Sequence, residues 1–226
     1  MLGGMGPLAA QEAEESRYRE QRLAMVDLIA SRGVKDSATL AAMRAVPRHE
    51  YVPADSRRLA YGDHPLPIGH GQTISQPYIV AFMTEILHPV PGMKVLEVGT
   101  GSGYQASVLA QIGADVYTIE IFEVLATSAR ERLTRLGFDR IQTRHADGHF
   151  GWLEAAPFDA VIVTAAAGFI PPALVEQLKP GGRMVIPVGS VHGIQNLILV
   201  LKDESGDLRT RNVLPVRFVP MLSDLR

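Results

Sequence analysis

Three glycines at alternating positions, Gly99, Gly101 and Gly103, directly follow the hydrophobic run Val95–Val98. Because glycine has no Cβ, such a turn between a strand and a helix lets the backbone approach a nucleotide-type ligand closely. The dinucleotide fingerprint is G-x-G-x-x-G, but Tyr104 occupies its last position and the third glycine comes one residue early. The G-x-G-x-G spacing after an acidic residue therefore favours S-adenosylmethionine, against the alternative of a glycine-rich turn that binds nothing.

Two carboxylates are expected at the same sheet edge as this glycine run. Glu120 ends the second predicted strand, 120 − 99 = 21 residues after Gly99, where a carboxylate accepts hydrogen bonds from ribose hydroxyls. A solvated charge at a strand end is the alternative. Asp147 and Gly148 follow the third predicted strand, where a carboxylate can accept from the exocyclic amine of adenine, unless they form an ordinary Asp-Gly turn. Together, the three loops are predicted to converge on one adenosyl group.

The segment Thr73-Ile74-Ser75-Gln76-Pro77 opens a predicted helix. One interpretation makes Ser75 the N-cap hydroxyl, with a proline in the first turn. The other directs this hydroxyl at a substrate. Ser75 is not an esterase nucleophile, because the G-x-S-x-G motif needs glycines at positions 73 and 77, and Ser102 lacks the flanking glycines as well.

The sequence contains no pattern typical of a metal site or of hydrolytic catalysis. Cysteine is absent, and His145 and His149, the histidines with i, i+4 spacing, are separated by a predicted loop. The carboxylates show no acid–base pairing. Methyl transfer to a carboxylate needs no general base, because a carboxyl with a pKa of about 4 is already ionised at pH 7. Such an enzyme mainly positions two reactants and excludes water.

Composition indicates one domain that binds neither nucleic acid nor membranes. A chain of 226 residues suits a single domain, and 46% hydrophobic residues allow a sizeable core. The net charge of −2, without a basic block, argues against binding to phosphate backbones or anionic membranes. The amino terminus does not look like a secretory signal, and no apolar run reaches the roughly 20 residues of a membrane helix. We therefore expect a cytoplasmic protein.

The N-terminal part is predicted to be mainly helical. Residues 1–15 are expected to form a flexible tail. Apolar residues at helical spacing predict a helix over Ser16–Arg32, which ends at Gly33. Ser37 is the predicted N-cap of a second helix. The Pro- and Gly-rich stretch Pro47–Gly71 mixes charges with aromatics, which predicts an ordered covering segment.

Strands and helices alternate after residue 77, which predicts an α/β fold with a mostly parallel, doubly wound sheet. The predicted strands cover residues 94–98, 116–119, 141–144, 160–163 and 183–188. The predicted helices begin at Pro77, Tyr104, Phe122 and Pro172, the last ending before Lys179-Pro180-Gly181-Gly182. Two final runs, 195–201 and 212–219, predict a C-terminal β-hairpin. We predict a single domain over 16–226, with an N-terminal segment (16–76) and a Rossmann-like core (77–226).

Several segments of the chain are similar to those of a known family. They are Gly71–Pro77, the glycine run with Tyr104-Gln105-Ala106, Phe158–Ala167, Leu178–Arg183, Val46-Pro47-Arg48 with Tyr51-Val52-Pro53, and Arg217–Pro220. Over roughly residues 16–221 the chain resembles the protein-L-isoaspartate O-methyltransferases. The glycine motif occurs in many methyltransferases, whereas Thr-Ile-Ser-x-Pro is far more specific to this family.

The resemblance implies a Rossmann-like, S-adenosylmethionine-dependent methyltransferase fold and a cytoplasmic, monomeric repair enzyme. Such an enzyme methylates the abnormal α-carboxyl of L-isoaspartyl residues in damaged proteins and peptides. The ester then cyclises spontaneously to a succinimide, which partly reopens as normal aspartate.

The same resemblance implies the site residues. Ser75 would be the active-site residue, with its hydroxyl orienting the substrate carboxylate, and Ala165–Ala167 would leave room for a substrate backbone. The family often has proline directly after these alanines, whereas Gly168-Phe169-Ile170 intervene here before Pro171. The cofactor would lie along Gln72, Thr73, Ile74, Gly99, Gly101, Ser102, Gly103, Glu120, Ile121, Asp147 and Gly148.

Two other functions stay open at this point. A related methyltransferase acting on a small molecule would have no need for the Thr73-Ile74-Ser75 segment. A non-catalytic adenosyl-binding protein that docks partners would bind S-adenosylmethionine without turnover.

Overall fold

A seven-stranded, mostly parallel sheet runs through the computed structural model of the chain, which describes residues 7–190 and 193–223. The strands are β1 (Leu66–Gly69), β2 (Gln72–Ile74), β3 (Lys94–Val98), β4 (Asp115–Glu120), β5 (Gln142–His145), β6 (Phe158–Val163), β7 (Leu178–Gly189), β8 (Gln195–Lys202) and β9 (Leu208–Val216). The last seven are ordered β5-β4-β3-β6-β7-β8-β9. Pairing is parallel from β5 to β7 and antiparallel from β7 to β9, so the predicted α/β, mostly parallel Rossmann-like sheet is confirmed.

The direction of strand addition reverses between β3 and β6. From β3 the chain adds β4 and then β5 on one side, and it returns to place β6 on the other side. Ligands of open α/β sheets bind beyond the carboxyl ends of the strands at such a reversal. The crevice expected from this topology lies beyond Val98 and Val163, where β3 and β6 end.

Helices cover both faces of the sheet. Because side chains alternate along a strand, Val95 and Ile162 are buried in one core while Leu96 and Val161 are buried in the other. The helices are α1 (Pro7–Ser31), α2 (Ser37–Ala45), α3 (Pro77–Leu87), α4 (Tyr104–Ile112), α5 (Glu123–Arg135) and α6 (Pro172–Glu176). Among the residues that the structure describes, no helix combines the length and hydrophobicity needed to cross a bilayer.

The first helix begins earlier than its apolar pattern predicts. Helix α1 starts at Pro7, so residues 7–15 are helical and the flexible tail expected over residues 1–15 is wrong for that part. Residues 1–6 lie outside the described residues. Alanine, glutamine and glutamate dominate the added turns and favour a helix without an apolar stripe, and proline suits a first turn.

The cap of α2 also differs from its prediction. The N-cap is Asp36, whose carboxylate accepts a hydrogen bond from the Thr39 amide at 2.7 Å, and Ser37 is already the first helical residue. Two candidate capping residues stand side by side here, and the earlier one reaches the free amide. The predicted end of α1 agrees within a residue, since α1 ends at Ser31 and Gly33 has a φ of 106°.

The covering stretch Pro47–Gly71 is ordered and leads into a small hairpin. It contains two 3-10 helices, Arg48–Tyr51 and Ala54–Leu59. Strand β1 pairs antiparallel with β2, and we call this unit the covering hairpin (residues 66–74). The sequence did not predict these strands, because they are only four and three residues long and β1 contains proline and glycine, which are depleted in strands.

The segment Lys179–Gly182 lies within a strand and does not terminate a helix as predicted. Helix α6 ends at Glu176, and β7 begins two residues later. The register between β6 and β7 shifts between Phe158 and Ala160. Such an irregularity accommodates proline and a glycine with positive φ, here 77° at Gly181. The predicted C-terminal hairpin is confirmed as β8 and β9.

Candidate active site

A cavity lies at the carboxyl ends of β3, β4 and β6, where the strand order reverses. The empty space that it encloses, counted out to its open mouth, is about 770 Å³. Its walls come from the glycine loop, the end of β4, the covering hairpin and the chain after β9. We call it the main cavity.

The glycine loop has a backbone that other residues adopt only with strain. The φ angles are 100° at Gly99, 53° at Gly101 and 87° at Gly103. A Cβ on Gly99 would lie 2.5 Å from the Thr164 hydroxyl, which itself donates to the Gly99 carbonyl at 2.7 Å. The first two glycines line the main cavity. Gly103 does not, because it begins α4 and leaves room there for Leu133.

Glu120 joins the glycine loop to the end of β4. Its buried carboxylate accepts from the Gly101 amide at 2.8 Å through Oε2 and from the Phe122 amide at 3.0 Å through Oε1. Each oxygen has a second lone pair, so the group can hold both loops and still accept from a ligand hydroxyl. The role beside a ribose stays a prediction, and the geometry leaves an acceptor available for it.

Glu97 is a second carboxyl of the main cavity that the sequence analysis did not single out. It is fully buried, and its Oε2 accepts from the Thr118 hydroxyl at 2.5 Å. Its Oε1 has no hydrogen-bond partner among the described residues. Burial raises the pKa of Glu97 to about 8 and the charge of Glu120 adds to this rise, whereas the Thr118 hydroxyl and the Ala106 backbone amide oppose it. An acidic residue inside the hydrophobic strand β3 is the signal that could have identified it.

The charged side chains that line the main cavity are all acidic among the described residues. Of its described lining residues, Glu97 and Glu120 are acidic and none is lysine, arginine or histidine. The unpaired Glu97 oxygen is a buried acceptor that a cationic ligand would satisfy. These features fit S-adenosylmethionine, whose sulfonium and ammonium groups outweigh its carboxylate.

Ser75 lies between the main cavity and a second depression. It is half-buried, it lines both spaces, and its hydroxyl makes no hydrogen bond to another described residue. The N-cap of α3 is Gln76, without a capping side chain, so the capping alternative for Ser75 is wrong. Helix α3 begins at Pro77, as predicted, and Ser75 precedes its N-cap, so the serine hydroxyl lies outside the helix end.

The second depression, which we call the side groove, opens directly beside the main cavity. The two share Thr73, Ser75 and Thr164, which form the junction between them. Counted with its open face, the side groove holds about 1130 Å³ of empty space. Its described lining residues are Pro65, Thr73, Ser75, Gln76, Ile79, Thr164, Ile194, Pro215, Val216, Arg217 and Phe218.

Asp147 and its neighbour Gly148 are placed differently with respect to the main cavity. Gly148 lines it, and a Cβ there would lie 2.3 Å from Val98 Cγ1. Asp147 does not line it. Its Oδ1 accepts from the amide and the ring Nδ1 of His149, each at 2.9 Å, and its Oδ2 accepts from the Ser223 hydroxyl at 2.6 Å. The predicted contact of Asp147 with adenine stays a prediction.

The fold thus brings most predicted site residues together. The main cavity contains Gln72, Thr73, Ile74, Ser75, Gly99, Gly101, Ser102, Glu120, Ile121 and Gly148, but neither Gly103 nor Asp147. Residues 219–222 also line it, although only the first two belong to a motif quoted from the sequence. Within residues 7–190 and 193–223, no group of three or more His, Asp or Glu side chains could hold a metal ion.

Comparison with protein families identifies one match that covers most of the chain. Residues 19–226 match the family described as Protein-L-isoaspartate(D-aspartate) O-methyltransferase (PCMT). A relative from Polaromonas sp. (strain JS666), named Protein-L-isoaspartate O-methyltransferase 2, is 60% identical over 186 residues. That match covers 82% of this chain and 88% of the relative.

Solved structures give the same result. One described as a protein-L-isoaspartate O-methyltransferase has a TM-score of 0.83 and 28% identity, covering 90% of this chain and 67% of its own. Another, described as a putative enzyme of this kind from Plasmodium falciparum in complex with S-adenosyl-L-homocysteine, has a TM-score of 0.78 and 25% identity. The match covers 89% of this chain and 98% of that structure.

Proposed function

The chain belongs to the protein-L-isoaspartate(D-aspartate) O-methyltransferase family, and we propose that its main cavity holds S-adenosylmethionine while its side groove holds an L-isoaspartyl peptide. Its activity is the transfer of a methyl group from S-adenosylmethionine to the free α-carboxyl of L-isoaspartyl residues. The two reactants would meet at the junction of Thr73, Ser75 and Thr164.

The difference in charge between the two spaces is the observation that carries this assignment. The main cavity has the carboxyls of Glu97 and Glu120 and no basic side chain among its described residues. The side groove has Arg217 as the one charged side chain among its described residues. A cationic donor is therefore matched by the acidic main cavity, and a peptide that carries carboxylates is matched by the cation of the side groove.

The donor site is supported by residues that leave room and by residues that accept hydrogen bonds. Gly99 and Gly101 open the backbone to close approach, and Glu120 can accept from ribose hydroxyls. The unpaired Oε1 of Glu97 can accept from a cationic group of the donor. When bound, S-adenosylmethionine supplies an electrophilic methyl group.

The acceptor side requires positioning and no base. The isoaspartyl carboxylate is already ionised at pH 7, so one of its oxygens attacks the methyl carbon as the sulfur–carbon bond breaks, and no proton is transferred. We assign to the Ser75 hydroxyl the donation of a hydrogen bond that orients this carboxylate, since it makes no such bond to the described protein residues. Alignment of the two reactants and exclusion of water account for the rate.

The product ester would cyclise to a succinimide without the enzyme, and part of it would reopen as normal aspartate. We propose a cytoplasmic monomer that acts on damaged proteins and peptides and has no nucleic-acid or membrane partner. The net charge of −2 without a basic block supports the last point.

A pair of peptides that differ only in the linkage of one residue tests this function. The enzyme should form a base-labile methyl ester on the L-isoaspartyl peptide and none on the matching aspartyl peptide. Only the isoaspartyl residue has a free α-carboxyl. Equal labelling of the two peptides would contradict the proposal. Methylation of small carboxylates with neither peptide labelled would favour a small-molecule enzyme, and donor binding without any turnover would favour a docking protein.

A further inference from the structure

The side groove combines apolar walls with a single charge. Ile79, Ile194, Val216 and Phe218 provide apolar surface along it. Arg217 is the one charged residue among its described lining residues, and its side chain is exposed. An extended peptide in this groove would therefore meet one cation and otherwise mainly apolar and neutral polar side chains.

The backbone around Arg217 is fixed by a buried amide. Gln195 is fully buried, and its Oε1 accepts from the Phe218 amide at 2.9 Å. Its Nε2 donates to the carbonyls of Ser190 at 2.6 Å and Gly193 at 3.0 Å. The Phe218 bond fixes the backbone next to Arg217, so the Arg217 side chain extends from an ordered part of the groove wall.

Arg217 is not needed by the fold as a charge. No hydrogen bond or ion pair connects it to another described residue, whereas other arginines pair with carboxylates, such as Arg135 with Glu50 and Arg144 with Glu154. A guanidinium without an internal partner, on the wall of a substrate groove, is available to bind a carboxylate of the ligand.

We propose that Arg217 makes the enzyme select isoaspartyl sites that have an acidic residue next to the isoaspartyl residue, by pairing with the carboxylate of that neighbour. The inference rests on the proposed function of the side groove. A strong ion pair with the reacting carboxylate would stabilise the anionic ground state and be weakened as methylation removes the charge. The neutral Ser75 hydroxyl at the junction suits the reacting carboxylate, and Arg217 suits a carboxylate that keeps its charge.

Matched peptides test this specificity. Two pairs of isoaspartyl peptides should be compared. The members of one pair differ only in having Glu or Gln directly before the isoaspartyl residue, and those of the other pair differ in the same way directly after it. We expect kcat/KM to be about three- to fivefold higher for Glu in at least one of these pairs, the effect of a partly exposed ion pair. The preference should decrease when salt is raised, because exposed charges are screened.

Variants of Arg217 test whether its side chain causes the preference for a neighbouring Glu. Arg217→Gln should bring the Glu to Gln ratio close to one, and Arg217→Lys should keep most of the preference. Arg211→Gln is the matched control, because Arg211 is an exposed arginine on β9, the strand that directly precedes Arg217, and does not line the groove. It should leave the ratio unchanged. Donor binding by every variant, measured by calorimetry, checks that the fold is retained.

Three results would overturn the inference. The wild-type enzyme could treat Glu and Gln peptides alike, or Arg217→Gln could keep the ratio. Arg217→Gln could also lower kcat/KM by one common factor for all peptides, which would place the guanidinium on the reacting carboxylate. Failure of the proposed function looks different, because no isoaspartyl peptide would then be methylated at all.

Discussion

At the scale of single residues, Glu97 shows how burial changes the chemistry of a carboxyl. Its carboxyl is inaccessible to solvent, one oxygen lacks a partner among the described residues, and Glu120 lies close enough to add repulsion. The resulting pKa of about 8 means that much of the population is protonated at neutral pH when no cation fills the main cavity. Glu97 is thus a poor contributor to stability and a good acceptor for a cationic ligand.

Glu97→Gln should remove a pH dependence of stability. The pKa of this carboxyl is raised in the folded state from 4.5 to about 8. Between these values the folded protein binds more protons than the unfolded chain, so wild-type stability falls as pH rises. Urea unfolding of the donor-free protein at pH 5.5 and pH 8 should show a fall of a few kcal/mol, at about 1.36 kcal/mol per unit.

The variant should show a smaller fall than the wild type over the same pH range. Glu12→Gln, an exposed position on α1, is the control and should keep the wild-type slope. A fall of equal size in wild type and Glu97→Gln would show that this carboxyl does not titrate differently in the folded state.

At the scale of elements, β3 and the glycine loop position the main cavity through local geometry. The Gly99 φ of 100° and the close approach to Thr164 leave no room for a side chain. The covering hairpin approaches the same loop from the other side, since a Cβ on Gly101 would lie 3.3 Å from Ile68 Cδ1. The packing by itself therefore requires small residues here.

Gly99→Ala should weaken donor binding at least tenfold and lower the free energy of unfolding by about 1–3 kcal/mol, the cost of a non-glycine residue in this conformation. Calorimetric titration with S-adenosylhomocysteine and urea unfolding measure the two effects. Gly168→Ala is the matched control, because a Cβ there contacts nothing within 4 Å. Donor affinity equal to wild type in Gly99→Ala would show that the loop relaxes without consequence.

Sequence patterns predicted the elements that depend on residues close together in the chain. The strand, glycine run and Glu120 are close in sequence, and spacing alone placed them at one edge. Asp147 is different, because its hydroxyl partner Ser223 is 76 residues away and no pattern links them. The cavity wall after β9 depends likewise on a bridge between Ala166 and Pro220. Long-range pairing decides such contacts, and periodicity contains no information about it.

At the scale of the whole molecule, two adjoining spaces of opposite charge suit the proposed meeting of a cationic donor and a peptide that carries carboxylates. The N-terminal segment helps to hold this arrangement. Tyr18 of α1 stacks on His49 of the covering stretch with ring centroids 4.0 Å apart, and His49 Nδ1 lies 2.7 Å from the Tyr61 hydroxyl. The covering stretch then continues into the hairpin that contributes Thr73 to the junction.

The central claim is that donor and acceptor meet at Ser75, and Ser75→Ala tests it most directly when turnover and donor affinity are measured on the same preparation. We predict that kcat on an isoaspartyl peptide falls about tenfold or more, because the carboxylate loses the hydrogen bond that aligns it with the methyl group, while the Kd for S-adenosylmethionine changes less than twofold. Ser16→Ala, on the exposed side of α1, should change neither. Unchanged kcat in Ser75→Ala, or a loss confined to donor affinity, would contradict the account.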